Sequence, residues 1–207
     1  MKYRRIPDET IRRLPIYLRV VSILISQNNQ NASSKQIADM LGVNHWQVRK
    51  DFSYFGDFGT PGVGYELEKL KKQIKKILKL DKPHKTVLIG VGNLGSAVLA
   101  YPGFKEYSFN IVAAFDIDSK KVGKKISGIT IEHVSNLKSL AKREITTAII
   151  AVPEEAAQQT ADGLVEAGVK GILNFSPRHI TVPKKVKVIS IDIAMDLARL
   201  PFYMPAH

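Results

Sequence analysis

The run Gly90-Val91-Gly92-Asn93-Leu94-Gly95 has the spacing of a loop that holds a pyrophosphate. Glycines at these intervals let the backbone turn tightly, approach a phosphate closely and pack a helix against a strand. Context gives the motif its weight, because G-x-G-x-x-G alone is weak evidence. Residues 86–89 form an apolar run of the kind found in buried parallel strands. Residues 96–100 continue as a helix, whose unpaired N-terminal N–H groups would face the phosphates. Residues 110–115 predict a second strand, and Asp116 closes it twenty-one residues past Gly95. A carboxylate there accepts hydrogen bonds from an adenosine ribose and repels a 2′-phosphate, so the expected cofactors are NADH and NAD+ rather than their phosphorylated forms. The expected contacts are Gly90, Val91, Gly92, Asn93, Leu94, Gly95 and Asp116. Val152, Pro153 and Asn174 join them from later strand ends that face the nicotinamide by the switch-point rule.

A second set of residues suits a different polyanion. Asn44-His45-Trp46-Gln47-Val48-Arg49-Lys50-Asp51-Phe52-Ser53-Tyr54 reads as one helix. Val48 and Phe52, with Phe55 and Trp46, can face a core at helical spacing, and His45 and Trp46 are expected to be structural or peripheral. Gln47, Arg49, Lys50, Ser53 and Tyr54 then supply donors on or near the exposed face. Arginine or lysine can read guanine edges and glutamine adenine, while serine and tyrosine hydroxyls more often grip phosphate.

The elements that would position these two sets differ in period. Up to about residue 80 the pattern is helical: Ile11, Leu14, Leu18, Val21, Leu24 and Ile25 form one stripe, with Pro15 inside it. Ser33 or Ser34 can cap a second helix that Gly42 ends in a left-handed conformation. The helix from about residue 44 to 55 comes next, then the glycine-rich segment 56–64, then an amphipathic helix through Leu67, Leu70, Ile74 and Ile77 with a lysine-rich opposite face. Helix, turn, helix and glycine-rich hairpin is the plan of a winged helix-turn-helix domain, with the second helix in the major groove. Residues 79–84 break the pattern. Beyond them strands at 148–152, 171–175 and 186–191 alternate with helical stretches, as an α/β Rossmann doubly wound sheet requires. The expected domains are a winged helix over 1–80, a Rossmann domain over 81–191 and an amphipathic C-terminal helix over 192–207, whose apolar segment 193–203 would pack on a partner subunit.

Composition fits this division. The chain of 207 residues carries a net charge of +12, with 15 Lys/Arg against 7 Asp/Glu over 1–80 and 16 against 12 over 81–207. A strongly basic small unit points to nucleic acid. With 44% hydrophobic and 24% charged residues, a folded core is expected. There are no cysteines, which excludes disulfides, thiolate nucleophiles and cysteine-bound zinc, and no metal site is expected. No apolar run reaches the roughly 18–20 residues of a membrane span, and no export signal is evident, so the cytoplasm is the expected compartment. A dehydrogenase would need a proton donor and a substrate domain. Of His45, His84, His133, His179 and His207, only His133 and His179 could serve, and neither has an evident partner. The cofactor therefore reads as a ligand and not as a reagent, and no catalytic residue is expected.

Residues 47–59, then Gly62-Val63-Gly64-Tyr65, resemble the hallmark of the bacterial redox-sensing repressor family called Rex. The similarity continues through Val91-Gly92-Asn93-Leu94-Gly95, Tyr101-Pro102-Gly103-Phe104, Ala113-Ala114-Phe115-Asp116, Ala151-Val152-Pro153 and Gly171-Ile172-Leu173-Asn174-Phe175. It implies an NADH/NAD+-responsive homodimer with a swapped C-terminal helix, which binds inverted-repeat operator DNA and releases it when NADH binds. It also implies that Arg19, Tyr101 and Asp192 link domains and subunits, and that Arg49, Lys50, Ser53 and Tyr54 contact DNA. The wing departs from the family pattern, carrying Thr60-Pro61 where a basic residue is usual, so Thr60 is the expected wing contact. Two alternatives stay open: a small NAD-dependent oxidoreductase with a basic appendage, and a winged-helix protein whose Rossmann domain has lost its cofactor.

Overall fold

The computed structural model describes residues 6–204 and divides the chain into two units, Met1–Lys82 and Pro83–His207. Residues 1–5 and 205–207, with His207 and the outer ends of the first and last expected segments, lie outside the described residues. The division falls inside the pattern break at 79–84.

In the first unit, Asp8 and Glu9 put negative charge at the N-terminal dipole of α1 (Asp8–Ser26), whose inner face buries Leu14, Tyr17, Leu18, Val21 and Leu24. Ile11, expected in that stripe, is exposed, and Tyr17 fills an inward position further along the helix. Strand β1 (Asn31–Ala32) leads into α2 (Ser34–Asp39), which starts at a capping box: the Ser33 hydroxyl accepts from the Gln36 N–H while the Gln36 side chain accepts from the Ser33 N–H. Gly42 turns the chain at φ +64, and α3 (His45–Ser53) comes after it, capped by Asn44. Strand β2 (Tyr65–Glu66) pairs antiparallel with β1, and α4 (Leu67–Ile77) packs Leu67, Leu70 and Ile74 inward against α1. Phe52 of α3 is the aromatic hub, with its ring 5.1 Å from Tyr17, 5.2 Å from Tyr65 and 5.6 Å from Phe58.

The second unit begins with β3 (His84–Ile89), α5 (Asn93–Ala100), α6 (Gly103–Glu106) and β4 (Phe109–Asp116). Then come β5 (Lys125–Ile126), β6 (Ile129–His133), a 3-10 segment (Val134–Arg143), β7 (Thr147–Ile150), α7 (Glu154–Glu166), β8 (Gly171–Asn174) and β9 (Lys187–Ser190). The described strands form one sheet in the order β5-β6-β4-β3-β7-β8-β9, parallel except for β5. Leaving out that short edge strand, this is the doubly wound order of a Rossmann domain. Alternate residues feed opposite faces: Val87, Ile89, Phe115 and Ile150 pack with Ala157, Ala161 and Leu164 of α7, whereas Leu88, Ala114, Ile131 and Ile149 pack with Val98 and Leu99 of α5. Strand β6 lies outside the segments that the sequence pattern marks as strands, yet it is the third strand the fold needs.

The expected C-terminal helix is two short helices, α8 (Ile193–Leu197) and α9 (Leu200–Tyr203). Pro201 accounts for the break, since its ring clashes with the carbonyl four residues back and it has no N–H to donate. Ile193, Leu197, Leu200 and Phe202 all face solvent, Phe202 at 86% exposure.

Candidate functional site

The reversal of strand order between β3 and β7 opens a crevice at their C-terminal ends, with a cavity of about 780 Å3. Of the expected cofactor residues, Gly90, Gly92, Asp116, Val152 and Pro153 line it. The glycines have separate reasons. A Cβ at Gly90 would strike the Ala151 carbonyl and one at Gly95 the Gly90 carbonyl, so strand, loop and helix could not meet as they do. A Cβ at Gly92 would meet nothing within 4 Å, so the loop backbone opens there and fits an incoming phosphate. Gly92 caps α5, which makes Asn93, Leu94 and Gly95 its first turn. That short helix starts beside the cavity, but Leu94 is exposed and neither it nor Asn93 lines the crevice.

Asp116 is buried at the cavity wall, and its carboxylate is already engaged. Oδ2 accepts from the Val91 N–H at 2.8 Å and from Lys121 Nζ at 3.0 Å, and Oδ1 accepts from the Asp118 N–H at 2.9 Å. Burial pushes this carboxyl up, but the Asp118 and Val91 N–H groups and the Lys121 ammonium outweigh it and hold the group below the usual carboxylate range. Asp116 thus ties the glycine loop to β4, and the Val91 contact is an internal one. Asn174, expected among the dinucleotide contacts, does not line the cavity. It is fully buried, donates to the Ser176 and Arg178 carbonyls and accepts from the Ser176 N–H, so its amide shapes the turn after β8. Lys121, His133, Leu137 and Lys138 also line the cavity. Spacing marks none of them as a cofactor contact, because Lys121 lies in the turn after β4 and the others end or follow β6, which has no clear period of its own.

In the first unit an open groove of about 520 Å3 runs between α3 and the wing, lined by Arg49, Ser53, Thr60 and Pro61 among others. The exposed Lys50 and half-buried Tyr54 lie on α3 or its C-cap but outside this groove. Thr60-Pro61-Gly62-Val63 is a tight turn: the Val63 N–H donates to the Thr60 carbonyl at 3.1 Å, proline stands at the second position and Gly62 has φ +79. That is the pattern of a type II turn. Gln47 differs from expectation. Its amide donates to Asp51 Oδ1 at 2.9 Å, so the side chain is directed to the interior. Asp51 is fully buried and also accepts from Thr10, from Arg13 through two nitrogens, and from Tyr17. Burial raises its carboxyl, but these donors, Arg13 foremost, bring it below the usual range. The network fixes α3 on α1. Trp46, assigned to the core or periphery by spacing, is 65% exposed.

Arg19 is exposed, Tyr101 is exposed with its ring edge-on to Phe104, and Asp192 caps α8 by accepting from the Ala194 and Met195 N–H groups. Among the described residues, no cluster of His, Asp or Glu is placed to hold a metal, and no helix is long and apolar enough to cross a membrane.

A winged helix carrying donors on an exposed helix, joined to a Rossmann unit with a dinucleotide-sized crevice, defines a ligand-responsive transcription regulator. The redox-sensing transcriptional repressor Rex of Thermus thermophilus is 45% identical over 96% of this chain and 93% of its own length, and that of Syntrophomonas wolfei 44% over 99% and 98%. The chain belongs to this Rex family of redox-sensing transcriptional repressors. Residues 81–178 match the "CoA binding domain" family and residues 5–53 the family described as "Putative DNA-binding protein N-terminus". RSP, a Rex-family repressor, in complex with β-NAD+ and operator DNA, superposes with a TM-score of 0.91 at 36% identity, over 96% of this chain and 92% of that one. RSP in complex with β-NADH gives 0.86 at 35% identity, over 94% and 92%.

Proposed function

We propose that this chain is an NADH/NAD+-responsive repressor that binds inverted-repeat operator DNA as a homodimer in the cytoplasm and releases it when NADH occupies the crevice. The observation that carries this is the pairing, in one chain, of the glycine loop opening at Gly92 onto the β3–β7 crevice with the donor-bearing helix α3. RSP, similar over nearly the whole length, has been crystallised with NAD+ plus operator DNA and with NADH, which supports both ligands.

The backbone around Gly90, Gly92 and the start of α5 holds the pyrophosphate, Asp116 and Lys121 face the adenosine, and Val152 and Pro153 flank the far end. The cofactor supplies a redox-dependent shape and charge; the protein's residues bind and orient it. Arg49 and Lys50 meet base edges or phosphate, Ser53, Tyr54 and Thr60 grip phosphate, and Gln47 acts through Asp51 to set the pitch of α3. The exposed apolar side chains of α8 and α9 form the dimer contact, and Arg19, Tyr101 and Asp192 carry the coupling between subunits.

The test is fluorescence anisotropy of a labelled duplex bearing an A·T-flanked inverted repeat. The protein should bind it, NADH should release it and NAD+ should not. Release by both nucleotides alike, or by neither, would overturn the proposal.

A further inference from the structure

Trp46 stands where a structural tryptophan would not. It sits in the first turn of α3, its backbone N–H fixed by the Asn44 side chain at 2.9 Å, with its indole 65% exposed. Large aromatic side chains are buried on average, so an indole left in water needs an occupant or a use. Its neighbours are the ones a nucleic-acid contact would want. The Arg49 guanidinium carbon lies 4.0 Å from the indole ring centre, a cation–π stack. Arg49 Nη2 also meets His45 Nδ1 at 2.6 Å, and the His45 ring lies 5.3 Å from the indole. His45 is the fourth residue before Arg49 and Trp46 the third, so all three share one helix face. In helix-turn-helix domains the N-terminal residues of the second helix are the ones that reach base edges.

We propose that Trp46 is a DNA-contact and specificity-determining residue: its indole holds the Arg49 guanidinium at the angle that reads guanine, and its free face packs on thymine methyl and deoxyribose groups in the major groove. The proposal rests on α3 being the DNA-reading helix. Two physical points favour it. Arginine has many rotamers, and a bidentate contact to guanine O6 and N7 needs its planar fork fixed. Stacking on Trp46 and the contact to His45 do that before DNA arrives, so less freedom is lost on binding. The indole itself is flat and apolar, suited to the methyl group that distinguishes thymine.

Trp46 is the sole tryptophan of the chain, so its fluorescence reports this position alone. With the full-length protein and a fluorescein-labelled duplex carrying an A·T-flanked inverted repeat, anisotropy reports DNA binding while acrylamide quenching reports access to the indole. Quenching should fall several-fold once anisotropy shows the duplex bound. Trp46→Ala should weaken binding roughly tenfold, Trp46→Phe should recover most of that, and the penalty for replacing guanine by adenine in the half-site should shrink in the alanine variant. The salt dependence of binding should stay unchanged in both variants, because no phosphate-neutralising charge is removed. Quenching unaltered in a saturated complex, or a Trp46→Ala variant with full affinity and full guanine preference, would overturn the proposal and leave DNA binding by α3 intact. A wild-type protein that fails to shift the labelled duplex would overturn that reading itself, and this inference with it.

Discussion

A carboxylate offers about four lone-pair positions, and Asp116 spends three of them inside the protein, on Val91, Asp118 and Lys121. One acceptor position remains for a ribose hydroxyl, and the charge that would reject a 2′-phosphate is partly balanced by Lys121. Wild-type protein should still bind NADH more tightly than NADPH. Lys121→Ala should widen that preference by about three- to tenfold, the worth of removing one partly solvated charge a few ångströms away. Asp116→Ala should weaken NADH and narrow the gap, and it should also free the Val91 N–H, so Asp116→Asn is the cleaner variant. Fluorescence titration of each nucleotide checks this; equal affinities in the wild type would contradict the assignment. Asp51 gives a stability counterpart. Its folded carboxyl lies below the unfolded value, so its contribution is present at neutral pH and is lost as pH falls through the lowered value. Asp51→Asn should cost about 2–3 kcal/mol at pH 7, and the difference from wild type should shrink in denaturant melts below about pH 4. Glycine spacing makes the phosphate loop readable in advance, because backbone geometry alone dictates those residues. The internal hydrogen bonds of Asn174 and Gln47 are not legible in advance, because the direction of a polar side chain depends on partners that spacing does not name.

Elements are readable in proportion to their length and periodicity. Helix α3, the strands β3, β4, β7, β8 and β9, and the Ser33 cap follow from apolar period and capping chemistry. Strand β6 escapes because Ile129 and Ile131 alternate with Thr130 and Glu132 for only a few residues beside a lysine-rich stretch, and the chain then enters a 3-10 segment with no helical period of its own. The C-terminal break escapes because an apolar stripe continues across Pro201. The wing is the element whose departure has a direct test. Pro61 and Gly62 set a type II turn at its tip, so the hairpin is rigid where a cation is usual in the family. Pro61→Arg should add up to two phosphate contacts per dimer and steepen the log K against log salt slope by up to roughly two units, with tighter binding at low salt. Arginine also loses the ring that pre-sets φ, so a loosened turn would offset some affinity without touching the slope. A filter-binding salt series separates the two, and an unchanged slope would mean that this wing does not reach DNA.

Over the whole molecule, a basic unit and a Rossmann unit share one chain, and apolar side chains of α8 and α9 stand in solvent in a single copy. Exposed apolar groups of this kind suit a contact surface, and the homodimer proposed above would space its recognition helices to match an inverted repeat. Asp192 caps the start of α8 by accepting from two backbone N–H groups, so Asp192→Ala should cost about 1 kcal/mol of cap and loosen the segment that joins the sheet to the proposed dimer contact. Coupling between the sites should then fall while each separate binding event persists. NADH in the crevice and operator on α3 should oppose one another, and equilibrium linkage makes that opposition reciprocal. Isothermal calorimetry of NADH binding, to the free protein and to the protein saturated with operator duplex, measures that opposition. NADH affinity should fall in the complex by the same factor by which NADH weakens operator binding, and the Asp192→Ala variant should show a smaller factor in both directions. A single NADH affinity, the same with and without operator, would mean that the two sites are not coupled.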